Sequence, residues 1–333
     1  MTQTLDMGLQ SGKNWTARVP THPQIAVILP AYNEAATIAA TITDFHQALP
    51  DAAIWVVDNR CSDDTRGIAL RTIEALRCAG GVLQESRPGK GNAVRRAFIE
   101  IDADIYVLSD ADCTYPAEQV QELIEPVRRG EADMVVGDRH TEGQYAAENK
   151  RPLHGFGNRL VRNLVNSLFR AKLSDVMSGY RVFSRRFVKH YPILVEGFEI
   201  ETDMTLHALD KRFRVMEVPV QYRDRPVGSV SKLNTFRDGA RVLATIWNIM
   251  RHYRPLLFFG SAAAVCALLG LFAGWAVIAE FISHRYIERV PLAILATGLE
   301  IEAVLLLAVG LILDSMVHQS KLHFERDLLN GRS

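Results

Sequence analysis

The stretch "YVLSDADCTYP" (residues 106–116) joins an apolar run, typical of a buried strand, to two acids one residue apart. A carboxylate without a partner at the end of a buried strand carries a desolvation cost, so Asp110 and Asp112 are expected to bind something. Because side chains alternate along a strand, the spacing predicts that both carboxylates point the same way and that Cys113 lies on the opposite face. The stretch therefore predicts a strand that ends at a binding site.

Strands and helices alternate along the chain on both sides of this stretch. Strands are predicted at residues 24–30, 53–58, 81–84, 104–109 and 133–137, and helices at 34–49, 63–77, 90–101 and 116–129. Such alternation is typical of an α/β fold in which helices cover both faces of a mostly parallel sheet. Ligands bind these sheets at the carboxyl ends of the strands, which is where the acids of this sequence fall.

Other predicted strands deliver acids to the same edge of the sheet. The first is followed by "PAYNE" (residues 30–34), which ends in Glu34, and the second ends at Asp58. A divalent cation would offset the cost of these charges, and Mg²⁺ typically takes one or two carboxylates together with the phosphates of a substrate. For any single acid a turn or a helix cap remains an alternative, since Asp112 or Thr114 could cap the helix that follows.

Cationic side chains occur in glycine-containing loops, as a phosphate site requires. Lys90 lies between two glycines in "RPGKGNAVRRAF" (residues 87–98), at a helix start where backbone N–H groups and the helix dipole suit a phosphate. The spacing is not that of a P-loop. Arg139 follows the strand at 133–137. The loop "YRDRPVGSVSKLNT" (residues 222–235) is typical of a mobile phosphate clamp, with an ordinary solvated turn as the alternative; its candidate residues are Arg225, Ser231 and Lys232.

Three further acids occur in two later motifs. Asp175 lies in "LSDVMSGYRVFSR" (residues 173–185), and Glu201 and Asp203 lie in "GFEIETDMTLHAL" (residues 197–209). Asp203 is close to the start of a predicted helix, so an N-terminal cap or a partner of the helix dipole is the alternative to a functional role.

The composition bears on several classes of protein. The 333 residues include 48 % hydrophobic ones, enough for a large core, and the net charge is zero, so no whole-molecule basic field points to nucleic acid. The four cysteines form no CxxC pair, which favours free thiols in a reducing compartment over a disulfide framework or a zinc site. The N-terminus lacks the features of a signal peptide, which predicts a cytosolic catalytic part.

Two apolar segments, residues 255–282 and 291–316, are each longer than the ~20 residues that a membrane-spanning helix needs. Because only "SHRYIERV" separates them, they predict a transmembrane hairpin, with a buried hairpin in a soluble protein as the alternative. Basic residues before the first segment and after the second predict that both ends lie in the cytoplasm, at the inner membrane. These residues are Arg241, Arg251, Arg254, Lys321, Arg326 and Arg332.

Glu300 and Glu302 are unusual because they lie inside the second apolar segment. A carboxylate within a membrane is costly and indicates a function or a polar interior contact, with a place near the interface or between packed subunits as an equal alternative. Polar residues in a two-span anchor also favour association of hairpins into a homo-oligomer.

The predicted domain organisation has five parts. They are a flexible N-terminal segment (1–23), a cytosolic catalytic domain (24–232), an amphipathic juxtamembrane helix (233–254), the hairpin (255–316) and a cytosolic tail (317–333). A second basic amphipathic helix, residues 158–170, either lies in the bilayer interface or packs on its own domain.

The order of the motifs resembles that of glycosyltransferase family 2 enzymes of GT-A fold. Within the family, the chain resembles bacterial polyprenyl-phosphate glycosyltransferases of the dolichol-phosphate mannose and glucose synthase type. The motifs that carry the resemblance are "PAYNE", "DNRCSDDT", "GKGNAVRRAF", "DAD", "GDR", "SDVMSGYRVFSR" and "RPVGSVSKL". The resemblance implies a Rossmann-like GT-A domain followed by a two-helix membrane anchor.

The resemblance also implies roles for individual residues. Those that match contacts to the donor nucleotide are Pro30, Tyr32, Glu34 and Asp58. Those that match contacts to its phosphates are Arg139, Arg225, Ser231 and Lys232. Lys90 joins these phosphate candidates because of its place at a helix start, described above. Asp110 and Asp112 match the pair that binds Mg²⁺ or Mn²⁺ and the donor diphosphate, and Asp175 and Asp203 match acidic positions near the acceptor. Thr114 departs from the pattern, since relatives often have Gln there.

The expected activity is inverting, metal-dependent transfer of a hexose from a nucleotide sugar to a polyprenyl phosphate, with Asp112, Asp175 and Asp203 as catalytic candidates. A UDP-sugar is the favoured donor and GDP-mannose the alternative. Two other hypotheses remain. One is transfer to a hydroxyl of a glycolipid or saccharide, which needs an acidic base such as Asp203. The other is a non-enzymatic nucleotide-sugar sensor.

Overall fold

The computed structural model describes residues 24–140, 152–197, 199–223, 244 and 246–330. The strands are β1 (Ile25–Ala31), β2 (Ala53–Asp58), β3 (Gly80–Gln84), β4 (Ile105–Leu108), β5 (Met134–Asp138), β6 (Arg181–Ser184) and β7 (Val215–Pro219). The helices are α1 (Ile38–Ala48), α2 (Thr65–Leu76), α3 (Lys90–Glu100), α4 (Val120–Arg128), α5 (Pro152–Phe169), α6 (Arg185–His190), α7 (Ile200–Asp210), α8 (Pro255–His284) and α9 (Val290–Asn330). A 3₁₀ turn, Ala117–Gln119, precedes α4, and residues 246–253 are also helical.

The strands form one sheet in the order β3-β2-β1-β4-β6-β5-β7. β1 pairs in parallel with β2 and β4, while β6 runs antiparallel to β4 and β5. The prediction of a mostly parallel α/β sheet is confirmed, although β6 and β7 were not among the predicted strands. β1 and β4 are buried on both faces, which is why their sequences are continuous apolar runs rather than alternating ones.

Helical periodicity sets the faces that pack into the core. In α1 the buried side chains Ile38, Ile42 and Phe45 recur every three or four residues, as the sequence predicts. α1 begins later than predicted because the chain first makes a turn, in which the N–H groups of Thr37 and Ile38 donate to the Glu34 carbonyl. The turn keeps Glu34 outside the helix, next to the end of β1.

The described residues fall into two compact units, and the second contains α5, residues 206–212 and the two long C-terminal helices. α8 and α9 run antiparallel, with Gly270 close to Glu300 and Gly310 close to Phe259. Buried residues with short side chains or none recur at every seventh position of each helix. They are Ala263, Gly270 and Val277 in α8, and Ala296, Ala303 and Gly310 in α9. A seven-residue repeat is the pattern of a left-handed supercoil.

The outward faces of α8 and α9 are apolar and exposed, as Phe272, Trp275 and Val304 illustrate. Only 11 % of the apolar window of each helix is buried, whereas a core helix of a soluble protein is mostly buried. By length and composition both helices can cross a membrane, which confirms the predicted pair of long apolar helices, while membrane crossing itself stays a prediction. α9 continues as a helix to Asn330, which makes most of the predicted tail helical.

Gly310→Leu is expected to loosen this hairpin. A Cβ on Gly310 would lie 3.1 Å from the Cβ of Phe259 and 3.5 Å from the Cα of Leu256, so a leucine has to push the two helices apart. Overpacking of this kind costs about 1–3 kcal/mol, and the thermal unfolding midpoint in detergent should fall accordingly. Gly298→Leu is the matched control, because a Cβ there meets no atom within 4 Å. Equal losses in both variants would contradict the packing argument.

Candidate functional site

Hydrogen bonds join the loops that follow β1 and β2. The backbone N–H of Ser62 donates to Asn33 Oδ1 at 2.7 Å, and that of Glu34 donates to Thr65 Oγ1 at 2.9 Å. Asn33 has a φ of 57°, a left-handed conformation that asparagine tolerates better than most residues. These contacts fix the segment that carries Tyr32 and Glu34.

The four residues predicted to contact the donor nucleotide lie at one edge of the sheet. Pro30 belongs to β1, and Ala31 after it is the register partner of Asp58, the last residue of β2. Tyr32 is 50 % exposed, whereas Asp58 is buried. A half-exposed aromatic ring thus lies near a buried carboxylate, while the nucleotide contact itself stays a prediction.

The paired acids lie beyond β4 rather than on it. β4 ends at Leu108, and the residues after it form a loop in which Cys113 has a φ of 61°. The strand alternation expected for Asp110 and Asp112 was therefore wrong, because the chain leaves the strand before the first acid. Cys113 packs against α1, with its Sγ 3.1 Å from Thr41 Oγ1.

Asp112 is 3 % exposed and is held by Thr114. Its Oδ1 accepts hydrogen bonds from Thr114 Oγ1 at 2.6 Å and from the Thr114 backbone N–H at 3.2 Å. The helix-cap alternative is wrong for both residues, because the N-cap of the following turn is Pro116, which makes no side-chain hydrogen bond. The hydroxyl of Thr114 instead orients the carboxylate of Asp112.

Lys90 lies buried between two carboxylates. Its Nζ is 2.5 Å from Asp110 Oδ1 and 2.5 Å from Glu201 Oε1. Burial opposes the charge on the ammonium, but Asp110 and Glu201 outweigh burial and raise the pKa of Lys90 above its ordinary value. Glu201 was named from the sequence only as an acid in a later motif, since no local signal links it to a lysine 111 positions away.

The backbone N–H groups at the start of α3 already bind another part of the chain, so the phosphate site predicted from these N–H groups was wrong. The N–H groups of Gly91 and Asn92 donate to the Glu196 carbonyl at 2.9 and 3.4 Å. Gly89 has a φ of 118°, and a Cβ on it would lie 2.0 Å from the same carbonyl oxygen. The glycines therefore serve close backbone approach, and the motif contributes to the site through the side chain of Lys90.

Arg139 and Asp175, which were expected to contact different substrates, are paired with each other. Arg139 Nε is 2.7 Å from Asp175 Oδ2, and Arg139 Nη2 is 3.0 Å from Oδ1, in a bidentate pair that is almost fully buried. Burial raises the pKa of Asp175, but the guanidinium of Arg139 more than offsets burial, so the pKa lies below its ordinary value. A carboxylate held in this way is a weak base.

Asp175→Asn is expected to lower the free energy of unfolding by about 3–5 kcal/mol at neutral pH, the usual cost of removing one partner from a buried ion pair. Because folding lowers the pKa of Asp175, the pair contributes fully above the unfolded value of 3.8 and loses its contribution as the pH falls through the folded pKa. Urea unfolding in detergent should show a difference that is constant near neutrality and shrinks below about pH 4.

The control for this prediction is Asp64→Asn. Asp64 pairs with Arg71 at 2.6 Å, but both side chains are more than half exposed. Removing an exposed pair costs about 0–1 kcal/mol. A stability loss for Asp175→Asn that is equally small, or that does not change with pH, would contradict the assignment.

Asp203 lies in the first turn of α7 and bonds to an aromatic hydroxyl. Its Oδ2 accepts from the Tyr191 hydroxyl at 2.6 Å. Burial raises the pKa of Asp203 and exceeds the opposing effect of the Tyr191 hydrogen bond. Asp203 therefore holds a proton more readily than an ordinary aspartate.

Three predicted phosphate contacts lie outside the described residues: Arg225, Ser231 and Lys232. The clamp expected over residues 222–235 therefore stays a prediction.

The donor atoms after β4 fit a divalent cation that is shared with a diphosphate. Asp110 and Asp112 offer hard carboxylate oxygens. The side chain of Asp110 is 31 % exposed, and that of Asp112 is oriented by Thr114. Among the described residues, no three Asp, Glu, His or Cys side chains form a ready-made cation site. Two carboxylates with substrate phosphates as further ligands is an arrangement that Mg²⁺ commonly adopts.

Comparison with known proteins agrees with this geometry. Residues 26–191 match the profile described as "Glycosyl transferase family 2". The chain is 30 % identical over 288 residues to glycosyltransferase AglJ of Haloferax volcanii. This alignment covers 85 % of this chain and 92 % of the relative. It is also 30 % identical to a dolichyl-phosphate hexose transferase of the same organism, covering 67 % of this chain and 92 % of the relative.

A solved structure shows the same fold. Glucosyl-3-phosphoglycerate synthase from Mycobacterium tuberculosis, in complex with Mn²⁺, UDP-glucose and phosphoglyceric acid, superposes with a TM-score of 0.53 at 24 % identity, covering 68 % of this chain and 79 % of that one. The fold is thus the GT-A fold, and the two sequence relatives named above each align over 92 % of their length. Since the strand-end motifs and these relatives lead to one assignment, the chain belongs to glycosyltransferase family 2.

Proposed function

We propose that the protein transfers a hexose, with inversion, from a nucleotide sugar to a polyprenyl phosphate at the cytoplasmic face of the inner membrane. The observation that carries the proposal is the presence, in one chain, of the acids Asp110 and Asp112 after β4 and of a hairpin apolar enough to cross a membrane. The relative named dolichyl-phosphate hexose transferase supports this class of acceptor.

The donor in this proposal is a UDP-sugar. The half-exposed ring of Tyr32 suits stacking on a base, and the buried carboxylate of Asp58 suits hydrogen bonds from a nucleoside. The resemblance to bacterial polyprenyl-phosphate glycosyltransferases favours uridine over guanosine. GDP-mannose is the alternative donor.

Asp110 and Asp112 would hold Mg²⁺ or Mn²⁺ together with the diphosphate of the donor. When bound, the cation neutralises charge that develops on the leaving diphosphate. Thr114 keeps Asp112 in one orientation, and Lys90 supplies a fixed positive charge beside Asp110. Such preorganisation is often the largest electrostatic contribution to catalysis.

A phosphate acceptor removes the need for a strong base. A phosphate monoester carries about −1.5 to −2 charges at pH 7, so it can attack the anomeric carbon without losing a proton. As the new C–O bond forms on one face of the sugar, the C–O bond to the diphosphate breaks on the other, and the configuration inverts. Asp175, which is paired with Arg139 and has a lowered pKa, suits orientation better than proton transfer.

Residues around the start of α8 support catalysis at the bilayer surface. Trp247 is 57 % exposed and lies edge-on to Phe258, with ring centroids 4.6 Å apart. Arg254, just before the first apolar helix, donates from Nη2 to the Leu168 carbonyl at 2.8 Å. Tryptophan and arginine that flank an apolar helix are typical of a membrane interface, and the basic residues favour the cytoplasmic side.

Transfer to a hydroxyl of a glycolipid or saccharide is the second candidate, because Asp203 has the raised pKa that suits a general base. Asp203→Asn should then reduce kcat by about 10²–10⁴-fold and leave the affinity for the donor unchanged. With a phosphate acceptor the same variant should keep most of its kcat. Glu199→Gln, an exposed change beside the same helix start, is the control. Steady-state kinetics with labelled donor separate the two outcomes.

A sensor without activity is not favoured by the two sequence relatives reported above, since both are named as transferases.

The test of the proposal is transfer itself. Purified protein is incubated with polyprenyl phosphate, Mg²⁺ or Mn²⁺ and one labelled nucleotide sugar at a time. We expect label from one donor to enter the lipid phase, to depend on the cation and to carry the inverted anomeric configuration by NMR. Label that enters only hydroxyl acceptors would favour the second candidate, and no transfer from any donor would contradict the proposal.

A further inference from the structure

The last helix continues well beyond its apolar part. α9 reaches Asn330, whereas its apolar stretch ends near Met316. Residues 317–330, here called the terminal extension, are mostly polar and exposed, yet Lys321 and Phe324 are partly buried. Both of these side chains contact the C-terminal end of α7.

An ion pair joins the terminal extension to the last residue of α7. Lys321 Nζ is 2.6 Å from Asp210 Oδ1, and Lys211 Nζ is 3.5 Å from Asp210 Oδ2. The side chain of Asp210 is only 6 % exposed. Because the dipole of a helix disfavours a carboxylate at its C-terminal end, a buried Asp210 depends on these two ammonium groups.

An aromatic contact lies beside the ion pair. The ring of Phe324 is edge-on to His207, with centroids 5.7 Å apart, and lies 5.2 Å from Lys211 Nζ. Lys321 and Phe324 are three residues apart on α9, as His207 and Asp210 are on α7, and side chains at this spacing share one helix face. The terminal extension therefore holds the end of α7 at two points.

α7 also carries Glu201, the buried partner of Lys90. A helix of 11 residues is a rigid element about 16 Å long, so holding one end restrains the other. We propose that Lys321 and Phe324 are positioning residues, which hold α7 so that Glu201 keeps Lys90 and Asp110 in the arrangement that donor binding requires. The kinetic and calorimetric readouts below rest on the proposed function, whereas the exchange readout does not.

The test compares Lys321→Met and Phe324→Ala with Arg326→Met in the full-length protein. Lys321→Met and Arg326→Met each remove one positive charge from the terminal extension, but Arg326 is exposed. Hydrogen–deuterium exchange of the α7 amides should become faster in the first two variants and stay unchanged in the third. The kcat/KM for hexose transfer should fall roughly tenfold in the first two, mainly through the donor KM.

A conservative change provides the rescue. Lys321→Arg keeps a positive charge opposite Asp210, so α7 exchange and donor KM should both stay close to wild-type values. Faster exchange with an unchanged donor KM would overturn the positioning role, as would unchanged exchange in Lys321→Met. If the wild-type protein transfers no sugar, the proposed function fails. Calorimetric affinity for UDP-glucose with Mn²⁺ in the same variants still decides the inference: an affinity unchanged in Lys321→Met overturns it.

Discussion

Asp112→Asn is expected to reduce kcat/KM by about 10²–10³-fold, the loss typical of removing one electrostatic stabiliser from an active site. The change removes the negative charge but keeps the shape of the side chain and an oxygen that can accept the bonds from Thr114. A loss of activity would therefore report on charge rather than on folding. A Mn²⁺ titration at fixed donor should show a weaker apparent affinity for the cation.

The neighbours of Asp112 provide two comparisons. Cys113→Ala should keep wild-type kinetics, because the thiol contacts α1 and burial raises its pKa, so that it stays protonated and unreactive at neutral pH. Thr114→Val should give an intermediate loss, because Asp112 keeps its charge but loses the hydroxyl that orients it. Wild-type activity in Asp112→Asn would contradict the proposed cation site.

Lys90→Met is expected to reduce activity about as much as Asp112→Asn does, and to reduce stability more than Asp112→Asn does. It leaves Asp110 and the buried Glu201 without the ammonium between them, which should lower the free energy of unfolding by about 3–5 kcal/mol. Folding raises the pKa of Lys90, so its contribution is complete below the unfolded value of 10.5 and is lost only as the pH rises through the higher folded value. Chemical unfolding should therefore give the same difference throughout the neutral range.

The double variant Lys90→Met with Glu201→Gln separates the two effects. Replacing Glu201 removes the buried charge that Lys90→Met leaves without its partner, so most of the lost stability should return. Activity should stay low, because the positive charge beside Asp110 is still missing. Unaltered activity in Lys90→Met, or no recovery of stability in the double variant, would argue against these roles of Lys90 and Glu201.

The first five strands were predicted closely. β1 to β5 each lie within one residue of the predicted bounds, because apolar runs closed by turn residues leave few alternatives. β6 was missed because it begins with Arg181, a residue type typical of surfaces. Arg181 is nevertheless fully buried, and it donates to the carbonyls of Val176 and Ser178 and to the hydroxyl of Thr205.

The position of the acids at one edge of the sheet was predictable, but the ion pairs were not. Local sequence patterns suffice to predict acids at the ends of β1 and β2 and just after β4, because these positions do not depend on how the strands are ordered in the sheet. The pairs Lys90–Glu201 and Arg139–Asp175 join residues that are 111 and 36 positions apart. Such pairings depend on sheet topology, in which β6 lies between β4 and β5, and no local pattern encodes that order.

The position of the hairpin in the chain has a consequence for biosynthesis. The last strand among the described residues ends at Pro219, and α8 begins 36 positions later, at Pro255. At about 5–20 residues per second, a ribosome needs several seconds to make this interval. The described strands therefore all precede the two long apolar helices in synthesis, so strand pairing can begin in water before the apolar hairpin has been made in full.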